Sequence, residues 1–158
     1  MTHFDSSGRA RMVDITGKPV TERLARAIGC IRMQPATLEA IRAGTTKKGD
    51  VVAVARVAGI MAAKRTAELI PLCHPIPLSD VDLTIELDDA LPGVRATATA
   101  KTAAQTGVEM EAVVAVSVTL ITLFDMVKGL DRDLMIGEIS VVEKQGGKGG
   151  HWVRVRND

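Results

Sequence analysis

Residues 106–130, TGVEMEAVVAVSVTLITLFDMVKGL, limit what this chain can fold into more than any other stretch. The segment holds no proline and reads as one helix. Thr106 followed by Glu109 has the form of a capping box, in which each side chain satisfies an amide that the helix start leaves unpaired. Gly129, just past Lys128, suits a C′ position, where φ must be positive. Nearly everything between is apolar, and a helix apolar all round has to be buried all round. Charge is confined to the tips: Glu109 and Glu111 at the start, Asp125 and Lys128 at the finish. Glu109 is accounted for by capping, and Glu111 is equally compatible with the pull of the helix dipole and with a role in a site. Asp125 and Lys128 are spaced i, i+3 and can touch. Either they are an ordinary ion pair, or an acid and an amine tuned against each other for proton transfer.

The rest of the chain supplies partners for that helix. Residues 12–15 suit a short strand. The stretch 20–33 is ambiguous: it can open as a helical turn, yet Ile28, Cys30 and, less well, Arg32 alternate like a strand. Pro35 opens a short helix closed by Gly44. Asp50 can cap a helix from 51 to about 70, with Val54, Val57, Ile60 and Met61 at helical spacing. Pro71, Pro75 and Pro77 stiffen the next segment and exclude a central strand. Val81, Leu83, Ile85 and Leu87 alternate with polar residues, as do Val94, Ala96, Ala98 and Ala100, which predicts a hairpin with one buried face. Residues 136–142 and 152–155 make a last strand pair. This order predicts an α+β fold with helices packed on one sheet face.

The 158 residues fit a single domain spanning 1–158, with 1–11 polar and loose. A net charge of +1 and an aromatic content of 2% argue against nucleic acid as a partner. Two cysteines, Cys30 and Cys73, make no disulfide framework and point to a reducing compartment. The N-terminus has no apolar signal core. The uncharged run 112–124 is about 13 residues, short of the roughly 20 that cross a bilayer. No membrane contact and a cytoplasmic location are expected.

Outside the helix, His74 is the most exposed candidate. On a proline-stiffened loop it can bind phosphate or move protons near neutral pH; alternatively it is a loop histidine bonded to a backbone carbonyl. Cys73 beside it does not make a metal site, because adjacent side chains hold one ion poorly and no second Cys/His pair exists. Lys47, Lys48, Lys64, Arg65, Lys128, Arg132, Lys144 and Lys148 are scattered as a solvated surface would be. Lys48 and Lys144, however, sit in or beside glycine-containing loops that let backbone approach a ligand. GGKGG lacks the spacing and the Ser/Thr of a Walker A motif. Together the basic positions suggest a small anionic ligand.

Three segments in this order, LIPLCHPIPLS, TGVEMEAVVAVSV and LFDMVKGLDRD, resemble the MoaC family, the cyclic pyranopterin monophosphate synthases of molybdenum cofactor biosynthesis. KKGDVVAVARVAGIMAAKRT and EKQGGKGG fit as well, so the resemblance covers about 12–155. It implies a ferredoxin-like fold, assembled as a hexamer (a trimer of dimers) with sites at the dimer interface. It implies conversion of (8S)-3′,8-cyclo-7,8-dihydroguanosine 5′-triphosphate to cyclic pyranopterin monophosphate, with pyrophosphate released. By the matching motifs, Asp125 and Lys128 are the catalytic pair. Leu72, Cys73, His74, Met110 and Glu111 bind substrate, and Lys48, Lys64, Arg65 and Lys144 hold its triphosphate. No cofactor is implied, beyond Mg²⁺ accompanying the triphosphate. Gln105 and Phe124 depart from the pattern, which favours lysine and tyrosine there. The reading from a different class is a non-catalytic ligand-binding regulatory module of the same fold, in which Asp125 and Lys128 would be idle. Along one helix Glu111 and Asp125 lie about 40° from a common face but roughly 21 Å apart. Two copies running antiparallel across a two-fold axis would join one tip to the other.

Overall fold

Residues 3, 4 and 7–155 are described by a computed structural model of the chain. Five strands form one antiparallel sheet: β1 (Thr21–Arg32), β2 (Asp80–Asp88), β3 (Gly93–Ala104), β4 (Met135–Gln145) and β5 (His151–Val153), in the order β2-β3-β1-β4-β5. The helices are α1 (Pro35–Arg42), α2 (Val51–Ala63), α3 (Thr66–Leu69) and α4 (Glu109–Val127). α2 and α4 cross on one face of the sheet. A helix-bearing connection precedes β2 and another precedes β4, giving the β4-β1-β3-β2 order of a ferredoxin-like α+β fold, with β5 added at the edge.

The core lies between that face and α4. Ala25, Ala27, Ile31, Val94, Ala96, Ala98 and Ala100 face Val116, Leu120, Leu123 and Val127, all fully buried. So many alanines let the helix sit low on the sheet. The same closeness governs Gly59, where α2 crosses α4. A Cβ there would overlap Thr119 Oγ1 and lie 2.9 Å from the Ala115 carbonyl oxygen, so the crossing needs a residue without a side chain.

Several sequence expectations change. Residues 12–15 are extended but join no strand. The ambiguous stretch is the strand β1, and its core-facing set is Ala25, Ala27 and Ile31 rather than the Ile28, Cys30 and Arg32 alternation. The helix expected over 51–70 breaks after Ala63 and resumes as one turn at Thr66. Asp50 does cap it, accepting from the Ala53 amide at 2.9 Å. Gly129 is not among the residues with positive φ; Lys128 closes α4 in right-handed geometry. The looseness expected of residues 1–11 falls partly outside the described residues; of those described, Phe4 and Ala10 form an antiparallel bridge.

At 19 residues α4 is long and apolar enough to cross a membrane by length and composition, which its uncharged run alone understates. Here it packs on the sheet, and one stripe stays open to solvent: Met110, Ile121 and Phe124 are exposed, as are Val54, Val57 and Met61 of neighbouring α2. Being apolar all round does not make α4 buried all round within one chain.

Candidate active site

The two tips of α4 carry two charge clusters, and α2 feeds both because it runs antiparallel to α4. Lys48 lies just before α2 and reaches the C-terminal tip. Its ammonium donates to the Asp125 carboxylate at 3.1 Å and to the Asp125 carbonyl at 2.7 Å. Lys128 pairs with the other Asp125 oxygen at 2.7 Å. Hydrogen bonds from Lys128 and then Lys48, with their charges, hold the Asp125 carboxyl below the usual carboxylate range. Its side chain is 55% exposed, so a ligand can reach it. The turn that follows is anchored by Asp131, which accepts from the Gln34 amide at 2.7 Å and the Asp133 amide at 2.8 Å.

The N-terminal tip faces a run of adjoining cavities. One, of about 390 Å³, is lined by Leu72, Cys73, His74, Met110 and Glu111 together with Glu109, Thr106 and Lys18. A second, of about 340 Å³, shares His74 and Glu111 and adds Lys64 and Arg65 from the end of α2. A third, of about 90 Å³, brings Lys144 to Glu109. Glu111 is only 5% exposed. Burial, against the pull of its own backbone amide, pushes its carboxyl above the usual range, and the Glu109 charge adds to the rise. The Cys73 thiol is pushed up as well, by burial and by the charge of Glu111. This end therefore carries a carboxyl raised by burial, and the other end one lowered by its ammonium partners.

Every site residue predicted from sequence lies in one of these two clusters. Asp125, Lys128 and Lys48 share the C-terminal tip. Leu72, Cys73, His74, Met110, Glu111, Lys64, Arg65 and Lys144 surround the N-terminal tip. Within one chain the clusters do not meet. A larger concavity of about 750 Å³ lies over the other sheet face and holds none of these residues. Two of its arginines pair with its glutamates, Arg26 with Glu143 at 2.8 Å and Arg95 with Glu138 at 3.7 Å.

Sequence reasoning missed two members. Glu109 is no capping partner: the N-cap residue is Val108, with no side-chain cap, and the Glu109 carboxylate instead meets Lys144 at 3.2 Å. Arg23 lies in the same small cavity, with its Nε buried and unpartnered among the described residues. The signal for Arg23 was the glycine tail. Gly147 has φ +68 and packs on the Arg23 guanidinium, where a Cβ would overlap it.

A sequence model of the MoaC family matches residues 12–147, a span that includes both clusters. The chain belongs to the MoaC family. Two relatives carry the name cyclic pyranopterin monophosphate synthase. One, from Limosilactobacillus fermentum (strain NBRC 3956 / LMG 18251), is 57% identical over 152 residues, covering 96% of this chain and 92% of the relative. The other, from Dinoroseobacter shibae (strain DSM 16493 / NCIMB 14021 / DFL 12), is 55% identical over 152 residues, covering 96% of each chain. Within the MoaC family, then, this chain keeps its charged groups at the two ends of one helix.

Proposed function

We propose that this chain converts (8S)-3′,8-cyclo-7,8-dihydroguanosine 5′-triphosphate to cyclic pyranopterin monophosphate and pyrophosphate in molybdenum cofactor biosynthesis. The observation that carries the reading is the Asp125 carboxylate held between Lys48 and Lys128 in a chain of this family. Opening and rebuilding the imidazole-derived ring requires protons to leave and arrive at nitrogen and carbon. Asp125, kept anionic, accepts a proton, and the adjacent ammonium groups donate one. Closing the cyclic ester forms a bond from a substrate hydroxyl to the α-phosphorus and breaks the bond to the departing pyrophosphate. Lys64, Arg65 and Lys144, with Lys48, supply the positive charge that such a step needs. Leu72 and Met110 offer an apolar wall for the heterocycle, with Cys73, His74 and Glu111 as its polar contacts. No protein-held cofactor enters this scheme, and any Mg²⁺ travels with the substrate triphosphate.

The active assembly is a homo-oligomer, a hexamer built from dimers, working in the cytoplasm. The exposed apolar stripe of Val54, Val57, Met61, Ile121 and Phe124 supports a two-fold contact through α2 and α4. Such a contact sets the Asp125 cluster of one copy against the His74 and Glu111 cavity of the other, so that each site uses two chains. The deciding experiment incubates the purified protein with the cyclised nucleotide and measures pyrophosphate and pterin product. Binding without turnover would instead favour the regulatory module. Val57→Glu is expected to give a smaller species in light scattering and to lose activity with it. An active monomer would overturn the shared site.

A further inference from the structure

The segment from Val13 to Lys18 forms no strand, yet it is tied to the N-terminal cavity at three points. His74 Nε2 donates to the Val13 carbonyl at 2.8 Å. The Gln105 amide donates to the carbonyls of Thr16 at 3.2 Å and Lys18 at 3.0 Å, which uses both of its N–H groups. Within the segment, the Asp14 carboxylate accepts from the Thr16 amide at 2.9 Å, and the Lys18 amide donates to the Ile15 carbonyl at 2.9 Å. Val13, Ile15 and Lys18 are half-buried and line the cavity of about 390 Å³, while Met12, Asp14 and Thr16 are exposed.

These contacts fix more than a wall. A carbonyl oxygen only accepts, so Nε2 of His74 carries a proton. In the neutral ring the lone pair is then on Nδ1, and that is the nitrogen left for a ligand. Gln105 thus matters although it stands where the family pattern favours lysine. A lysine ammonium can also donate to two carbonyls, whereas a leucine of similar size cannot.

We propose that residues 13–18 are a substrate-binding strap, with Gln105 as the positioning residue that anchors it. The strap adds Val13 and Ile15 to the apolar lining that Leu72 and Met110 begin, adds Lys18 to the wall that also holds Glu109 and Glu111, and holds His74 with Nδ1 free for the substrate. The inference rests on the activity proposed above.

The test compares wild type with Gln105→Leu, Gln105→Lys and Ile15→Ala. It measures kcat and KM for the cyclised nucleotide, affinity for it by calorimetry, and the His74 ring nitrogens by ¹⁵N NMR. Gln105→Leu is expected to raise KM and weaken binding about 10-fold with a much smaller change in kcat. Its His74 signals should move from a single Nε2-protonated form to a mixture. Gln105→Lys should restore both. Ile15→Ala should raise KM about 3-fold and leave the His74 tautomer alone. A wild-type KM with an unchanged His74 spectrum in Gln105→Leu would overturn the strap, as would a loss confined to kcat. Should Gln105→Leu fail to fold, a wild-type His74 protonated on Nδ1, or an unchanged KM in Ile15→Ala, overturns it equally. If wild type binds the nucleotide but does not convert it, the activity fails while the affinity and NMR results still judge the strap.

Discussion

Glu111 and Asp125 are carboxyls on the same helix, and each behaves opposite to what the helix would impose. The N-terminal end of α4 should favour a negative Glu111, and the C-terminal end should disfavour a negative Asp125. Instead burial drives the Glu111 carboxyl upward, and the hydrogen bonds and charges of Lys128 and Lys48 drive Asp125 downward. The dipole contributes about 0.3–1 kcal/mol near a terminus, less than the cost of taking water from a carboxylate or the pull of two adjacent ammonium groups. Environment, supplied by loops and by the ends of α2, decides which way each carboxyl shifts. One helix thereby carries two carboxyls shifted in opposite directions, one at each tip.

The largest effect should come from breaking the basic end. Asp125→Asn and Lys128→Ala are each expected to cut pyrophosphate release by at least about 100-fold while calorimetry still detects nucleotide binding. Near-normal product formation by either variant would remove that end from the chemistry. Next comes a test of whether the two ends serve each other across chains. Glu111→Ala and Asp125→Asn, each inactive alone, should recover roughly a quarter of wild-type activity when unfolded together and reassembled in equal amounts, because half of the dimers then hold one intact site. Mixtures that stay dead would confine each site to one chain.

The smallest effect isolates burial at Glu111. Its folded-state pKa is raised, so the stability linked to its proton is complete below the ordinary value of 4.5 and is lost as pH rises through the raised one. Glu111→Gln stays neutral at every pH. The variant should therefore melt about 2–4 °C above wild type near pH 8, and the gap should close near pH 4. A gap that is the same at both pH values would show that the carboxyl does not titrate in this way.

Much of this arrangement was legible in the sequence because it is local. The period of two in Val81, Leu83, Ile85 and Leu87 gives β2, the unbroken apolar run gives α4, and the charges at its tips mark the clusters. What escaped depends on distant partners. Glu109 fits a capping box until β4 delivers Lys144 from 35 positions away, and a charged donor then outcompetes the local amide. In β1 the core face is mostly alanine and glycine, with only Ile31 large, because α4 lies so close, and small residues give a weak alternation signal. The break after Ala63 has no proline to announce it. Lys48 looked like one lysine of a polar loop, and only the antiparallel course of α2 against α4 brings it to Asp125.

The position of β1 bears on how the chain is made. This strand is synthesised early, yet its neighbours on both sides, β3 and β4, come much later: Thr21 pairs with Ala104, and Leu24 with Gln145. At about 5–20 residues per second on the ribosome, β1 waits seconds for its first partner and longer for its second. The hairpin of β2 and β3 can close during that wait, but the middle of the sheet cannot. Closing those long loops comes ahead of the reward from pairing, which makes this topology a slow folder. The nascent chain must therefore keep β1 unpaired and soluble until β3, which ends at Ala104, has left the ribosome, and keep one edge of it open until β4 follows.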